Sequence, residues 1–183
     1  MLNKEYDVVH IGHYTKDTIV TKKGGTRIVD GGGFNYGAHA THALGLNVLA
    51  VTRLAKEDSH VVDELKNSGI ETVAVYGEKS TCLKMDYPTD NPDERIFTVT
   101  GIADSFKVSD IKDIRGKAFV AAPSFLGEMD SAFIKAMKER CRYLAIDVQG
   151  FVRVVYGNSV KYEQWAEQKD ILPMVDFFKV DIA

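Results

Sequence analysis

The sequence predicts an α/β fold: a doubly wound, mostly parallel sheet with helices on both faces, plus a small β-sheet. Two observations predict it. Short apolar runs typical of buried strands alternate along the chain with amphipathic helical patterns, the order that builds parallel sheets. The 183 residues are 45% hydrophobic, enough to bury a sizeable core. No internal repeat interrupts the alternation, so one domain over 1–183 is expected.

The strand candidates are short runs rich in β-branched and apolar residues, bounded by glycine or polar residues. They lie at 7–12, 48–52, 72–76, 118–122, 143–148 and 177–180. Helical periodicity predicts helices after the glycines at 31–33, where Gly45 is a plausible stop, and over 59–67 and 130–140.

Two stretches interrupt the alternation and are typical of β-hairpins. In the first, β-branched arms flank Lys22-Lys23-Gly24-Gly25, where glycine supplies the positive φ that a tight turn needs. In the second, apolar and polar residues alternate over 83–87 before a loop rich in turn formers. The hairpins, at about 17–30 and 80–101, predict a small sheet that acts as a lid. Two decorative surface hairpins remain the alternative.

Composition argues against several classes of function. A net charge of −3 gives no basic excess for nucleic-acid binding, and no run approaches the length of a membrane span. Cys82 and Cys141 lie in unrelated contexts, which favours reduced thiols in a cytoplasmic protein. His39 and His42 share a helix face but have no third ligand in view, so no metal site is predicted.

The most informative stretch is Asp30-Gly31-Gly32-Gly33-Phe34-Asn35-Tyr36-Gly37-Ala38. Three successive glycines let the backbone approach a bound molecule, and the free N–H groups of the following helix can hold a polar one. The spacing Gly31-x-Gly33-x-x-x-Gly37 misses the dinucleotide-binding fingerprint by one residue. The stretch therefore predicts a small-molecule site, with an ordinary strand-to-helix turn as the alternative.

The order of these features resembles that of the ribokinase-like (PfkB) carbohydrate kinases. The first strand runs into Gly12-His13-Tyr14-Thr15-Lys16-Asp17, a hairpin and the glycine turn follow, the next helix ends at Leu44-Gly45, and a segment closing on Gly69 precedes the second hairpin. The resemblance covers essentially the whole chain. It implies a ribokinase-like domain, here incomplete, with a β-lid over the substrate. It also implies phosphorylation of a hydroxyl of a sugar, polyol or nucleoside by ATP with Mg²⁺.

Residue by residue, the resemblance implies a substrate site at the glycine turn. Asp17 matches the family's aspartate that accepts hydrogen bonds from substrate hydroxyls, and Gly31 and Gly32 match its paired glycines. A carboxylate suits this role because it only accepts hydrogen bonds and can hold two hydroxyls. The implied substrate-binding residues are Asp17, Thr15, Gly31, Gly32, Gly33, Asn35 and Tyr36.

Some positions depart from ribokinase itself. Tyr36 stands where ribokinase has its substrate-binding asparagine, with Asn35 one place earlier, and Thr15 replaces another polar sugar ligand. The family's glutamate on a later strand aligns near Pro123. These departures argue against D-ribose and leave inositol-like polyols, other sugars and nucleosides open.

The resemblance also implies residues on the phosphoryl-donor side. Asp147 and Arg153 flank an Asp-x-Gln-Gly segment at a strand end and are predicted to face the transfer cleft, with a strand-end cap and a surface charge as alternatives. Asp181 aligns with the asparagine of the family's Asn-x-x-Glu motif. The Gly-Ala-Gly-Asp segment that carries the catalytic aspartate does not occur in the sequence. We therefore expect the substrate-binding part of a kinase, truncated and inactive alone, with its catalytic base beyond the C-terminus.

Two other classes of function stay open. A pseudo-kinase or small-molecule-binding protein would keep the pocket without transferring phosphate. An interaction module would instead pair through the exposed edge of the lid, as a homodimer does when strand edges join.

Overall fold

The computed structural model describes residues 5–91 and 93–180. The strands are β1 Glu5–Ile11, β2 Thr15–Thr21, β3 Thr26–Gly31, β4 Val48–Ala55, β5 Glu71–Gly77, β6 Thr81–Tyr87, β7 Ile96–Gly101, β8 Arg115–Ala121, β9 Cys141–Asp147, β10 Arg153–Tyr156, β11 Ser159–Tyr162 and β12 Phe177–Lys179. The helices are α1 Gly33–Ala43, α2 His60–Asn67, α3 Ser131–Lys138, α4 Gln149–Val152 and α5 Gln168–Ile171, with 3₁₀ turns at Lys56–Asp58, Val108–Ile111 and Leu172–Met174.

The central sheet has six strands in the order β12-β9-β8-β1-β4-β5, and every neighbouring pair is parallel. The first strand lies in the interior, where Val9 is paired with Leu49 of β4 and Phe119 of β8. All six strand candidates read from the sequence belong to this sheet. The predicted parallel α/β architecture is therefore confirmed.

Helices cover both faces of the central sheet. On one face, Val9, Phe119 and Leu144 pack in a core that includes Phe133 of α3 and Ile171 of α5. On the other face, α1 and α2 pack in a second core. That core contains Tyr14, Phe34, Ala38, Val48, Ala50, Leu54, Val61, Val62, Leu65 and Ile70. This two-sided packing is the doubly wound arrangement that the alternating pattern predicts.

The second sheet has the order β10-β11-β7-β6-β2-β3. It contains both predicted hairpins, β2–β3 and β6–β7, each antiparallel, joined by parallel pairing of β2 with β6. It also contains a hairpin, β10–β11, that the sequence did not indicate. These strands have four residues each and little apolar alternation, and β11 joins β7 through one registered pair, Ser159 with Thr98.

Three features bear on the excluded classes. In the part of the chain that the structure describes, no helix is long and apolar enough to cross a membrane. Cys82 and Cys141 are free thiols. Among residues 5–91 and 93–180, no three potential metal ligands cluster.

Candidate functional site

Asp17 and the glycine turn meet at the junction of the two sheets. In the β2–β3 hairpin, Thr15 is registered with Gly31 and Asp17 with Val29, so the side chains of Thr15 and Asp17 lie on the face of Gly31. A Cβ atom at Gly31 would overlap the Asp17 carboxylate and lie 2.5 Å from Thr15 Oγ1. Glycine at position 31 therefore gives the carboxylate its place, and three predicted site residues are brought together.

The next two glycines shape the entry into α1. Gly32 has φ +104°, and a Cβ atom there would lie 2.5 Å from the carbonyl oxygen of His13. Gly33 opens α1 against the end of β8, with a would-be Cβ 2.9 Å from Ala122 Cβ. The helix N-terminus, whose first N–H groups lack intrahelical partners, is thus pressed against both sheets.

Two buried acceptors lie unpaired at this turn. Asn35 donates from Nδ2 to the carbonyl oxygen of Asp30 at 3.2 Å. Within the described ranges, Asn35 Oδ1 and Asp17 Oδ1 are both buried and have no hydrogen-bond partner. Each unpaired buried polar atom costs about 1–3 kcal/mol, so such atoms need an explanation. Here both point to a ligand that donates hydrogen bonds.

The pKa of the Asp17 carboxyl group is higher than that of an ordinary aspartate. Burial raises the pKa of Asp17 to about 6, the nearby Asp30 carboxylate adds to this, and the hydrogen bond with Thr15 opposes it. Above that pH the carboxylate is ionised and only accepts hydrogen bonds. The site therefore presents an acceptor to hydroxyl groups at neutral pH.

Tyr36 lies at the rim. Its side chain is exposed, yet partial burial and the carboxylates of Asp17 and Asp30 raise the pKa of its hydroxyl. Asp30 in turn accepts hydrogen bonds on Oδ1 from Tyr14 Oη at 2.5 Å and pairs with His60 Nε2 at 3.0 Å. Sequence reasoning missed Asp30 as a neighbour of the site. Its position directly before the glycines was the available signal, whereas nothing indicated His60.

The predicted donor-side residues have separate hydrogen-bond partners. Asp147 ends β9, where Oδ1 accepts the Gln149 N–H at 3.2 Å and Oδ2 pairs with Lys179 Nζ at 3.3 Å. Arg153 begins β10, and its Nε donates to Tyr162 Oη at 3.2 Å. Asp181 lies outside the described residues.

Asp147 lines a cavity of about 310 Å³ on the α1 side of the central sheet. Its walls are mostly small or apolar. They are formed by His10, Gly33, Gly37, Val120, Ala122, Ala145, Ile146, Asp147, Phe177, Phe178 and Lys179, and do not include Arg153.

This chain was compared with protein-family models, with curated proteins and with solved structures. Neither the protein-family models nor the curated proteins give a match. Among solved structures, a sulfate complex of a pyrophosphate-dependent kinase in the ribokinase family is 32% identical, with a TM-score of 0.88 over 95% of this chain and 61% of that chain. The chain is similar in sequence and structure to kinases of the ribokinase family.

Two further solved structures are similar to this chain. A pyrophosphate-dependent kinase complexed with a pyrophosphate analog and myo-inositol is 30% identical, with a TM-score of 0.87 over 95% of this chain and 61% of that chain. Ribokinase from Giardia lamblia, at 15% identity and a TM-score of 0.71 over 97% of this chain and 57% of that chain, shares the fold. The chain thus spans about three fifths of the length of these relatives.

Proposed function

We propose that this chain forms the substrate-binding part of a ribokinase-family kinase that phosphorylates a hydroxyl of a cyclic polyol such as myo-inositol. The observation that carries the proposal is the pair of unpaired acceptors, Asp17 Oδ1 and Asn35 Oδ1, at one glycine turn. The likeness to the kinase structure that contains myo-inositol supports this substrate class, since that protein is 30% identical to the chain.

The geometry favours a hydroxyl-rich ring over an anion. An ionised Asp17 and the Asn35 carbonyl oxygen each require a donor, and neighbouring hydroxyls on a ring supply two O–H donors at fixed spacing. The Thr15 hydroxyl, which can donate and accept, adds a third polar contact beside Asp17. A phosphate or carboxylate at this position would instead be repelled by Asp17 and Asp30.

Two phosphoryl donors are candidates. ATP with Mg²⁺ is the donor expected from the family, and solved neighbours include a ribokinase with ribose and ATP and a fructokinase with fructose, ADP and calcium ion. Pyrophosphate is the donor named for the kinase that is 32% identical. Of the two predicted donor-side residues that the structure describes, Asp147 pairs with Lys179 and lines the cavity, while Arg153 donates to Tyr162. We therefore assign the chain's own residues to binding and orienting the substrate only.

The second sheet is proposed to act as a lid over this site. Its inner face carries Thr15 and Asp17 at one end and the apolar residues Leu83 and Val99 nearby. A covered, water-poor site strengthens the hydrogen bonds of Asp17 to substrate and limits hydrolysis of the donor.

A binding protein without transfer activity is the second candidate. It is favoured by the convergence of Thr15, Asp17 and Gly31, which binding alone requires. Both candidates require polyol binding, and only the kinase converts polyol to a phosphate ester.

The test is a ligand screen by thermal shift and calorimetry with myo-inositol, ribose, fructose and adenosine, alone and with pyrophosphate or ATP plus Mg²⁺. We expect myo-inositol to raise the melting temperature, since a ligand that binds only the folded form at about 100 times its Kd adds about 2.7 kcal/mol. Asp17→Asn should weaken binding more than about tenfold, because the amide nitrogen replaces an acceptor. The exposed Asp63→Asn on α2 is the matched control. No shift with any polyol, or equal binding by Asp17→Asn, would overturn the proposal.

A further inference from the structure

His13 lies where the chain crosses from the central sheet to the second sheet, between β1 and β2, and its side chain is fully buried. Its Nε2 lies 2.9 Å from the carbonyl oxygen of Asp104. Because a carbonyl only accepts, Nε2 carries a proton and donates it. The other nitrogen, Nδ1, lies 3.0 Å from Thr81 Oγ1 and 3.3 Å from Glu128 Oε1.

Two of these partners lie at other places where the chain crosses between the sheets. Thr81 begins β6, and its hydroxyl also accepts the Ala103 N–H at 3.1 Å just after β7. Asp104 follows directly. On its backbone side, the His13 carbonyl oxygen abuts Gly32 of the substrate turn. The His13 imidazole therefore contacts the starts or ends of β6 and β7, and the backbone of the same residue abuts the glycine turn that positions Asp17.

Glu128 ties the same imidazole to a loop under the second sheet. Its carboxylate is almost fully buried, and Oε1 accepts the N–H groups of Ser124 at 2.9 Å and Phe125 at 3.2 Å. Its other oxygen, Oε2, is buried and has no partner among the described residues. Phe125 packs against Leu83 and Val99 on the inner face of the second sheet. The carboxylate thus fixes the loop on which that face rests.

A buried contact between polar side chains is weak evidence for stability, because the cost of desolvating them offsets most of what the contact gains. What such a pair adds is a fixed geometry. Here the fixed geometry includes the position of the glycine turn with Asp17. It also includes the position of the loop on which the second sheet packs.

We propose that His13 and Glu128 are positioning residues for the polyol site: together they set the separation between the glycine turn and the inner face of the second sheet. The inference rests on the proposed function for its substrate. Neither residue is a member of the predicted substrate-binding set, so both act through neighbours, His13 through Gly32 and Glu128 through Phe125.

The test compares Glu128→Gln, which keeps the volume and one oxygen acceptor, with His13→Gln and the double variant in the full chain. The readouts are myo-inositol Kd by calorimetry well below the melting temperature, and hydrogen–deuterium exchange of β6 and β7. We expect Glu128→Gln to raise Kd about tenfold and to speed exchange in β6 and β7 more than in β1 and β4. The double variant should bind no more weakly than the worse single variant, because contacting residues that act through one contact are not additive.

The matched control is Asp176→Asn. Asp176 also accepts a backbone N–H, from Leu144, and pairs with Lys138, but it lies beside β12 far along the central sheet. This variant should lower stability and leave Kd unchanged. Wild-type Kd in Glu128→Gln would overturn the inference and leave the proposed function standing. If the wild-type chain binds no polyol, the proposed function fails, and unchanged exchange in β6 and β7 of Glu128→Gln would then overturn the positioning role separately. If His13→Gln does not fold, Glu128→Gln alone decides.

Discussion

Folding and ligand binding favour opposite protonation states of the Asp17 carboxyl group. Its folded pKa of about 6 lies above the ordinary value of 3.8, because the carboxyl is buried beside Asp30. Folding therefore favours the protonated form, while hydroxyl binding favours the ionised acceptor. Below pH 3.8 both folded and unfolded chains are protonated and no penalty exists. The penalty grows between pH 3.8 and about 6 and is complete above it.

Asp17→Asn should consequently stabilise the ligand-free chain at neutral pH and not at acid pH. After allowance for solvent screening, we expect a gain of about 1–2 kcal/mol near pH 7.5, a rise of a few degrees in melting temperature, and almost no gain near pH 3.5. Thermal melts of both proteins at the two pH values measure this. An equal gain at both pH values would show that the ionised carboxylate is not the source of the penalty.

Among the elements, the loop between β8 and α3 packs against the second sheet through the side chain of Phe125. Phe125 is 1% exposed and packs against Leu83 and Val99, with its ring edge-on to Phe97 at a centroid separation of 6.3 Å. This cluster is small and separate from the two cores of the central sheet. The packing of the second sheet on this loop therefore depends on few apolar contacts.

Phe125→Ala should loosen the second sheet selectively. Truncating a buried phenylalanine costs about 3–5 kcal/mol, and here the loss falls mainly on β6 and β7. Hydrogen–deuterium exchange should accelerate in these strands and change little in β1, β4 and β8. Phe178→Ala, whose side chain is 64% exposed, serves as the control and should alter stability by no more than about 0.5 kcal/mol. Equal acceleration of hydrogen–deuterium exchange in both sheets would contradict the prediction that the second sheet loosens independently.

For the molecule as a whole, one end of the central sheet differs from the rest of the surface. Phe177 and Phe178 on the edge strand β12 are largely exposed, beside the 310 Å³ cavity with small and apolar walls. An unpaired strand edge next to exposed aromatic rings favours association with another chain.

We expect the chain to self-associate through this edge. Phe178→Lys should lower the sedimentation-average mass at a given concentration, since a charge on an edge strand opposes pairing. Tyr76→Lys, on the opposite edge strand β5, is the matched control and should have little effect. If the native chain is monomeric at high concentration, the predicted association does not occur. If both substitutions have equal effects, the association does not use the β12 edge.

Local patterns in the sequence determined most of the architecture. The alternation of strand and helix signals predicted the six parallel strands and both hairpins, because burial on both faces selects apolar runs and turns select glycine. The predicted helix over 130–140 begins at Asp130, whose Oδ1 accepts the Phe133 N–H at 2.7 Å as an N-cap. The weakly patterned β10–β11 hairpin was missed because its pairing depends on tertiary neighbours.

The same distinction between local pattern and tertiary packing applies to the candidate site. The sequence by itself determined which residues were available: an aspartate, three glycines and an asparagine of the right chemistry. Only the tertiary structure decided that Thr15 faces Gly31, that Asp17 Oδ1 and Asn35 Oδ1 stay unpaired, and that His13 meets Glu128 across the two sheets. The physical reason is that propensity and periodicity act over a few residues, whereas register, burial and hydrogen-bond pairing are fixed when distant segments pack.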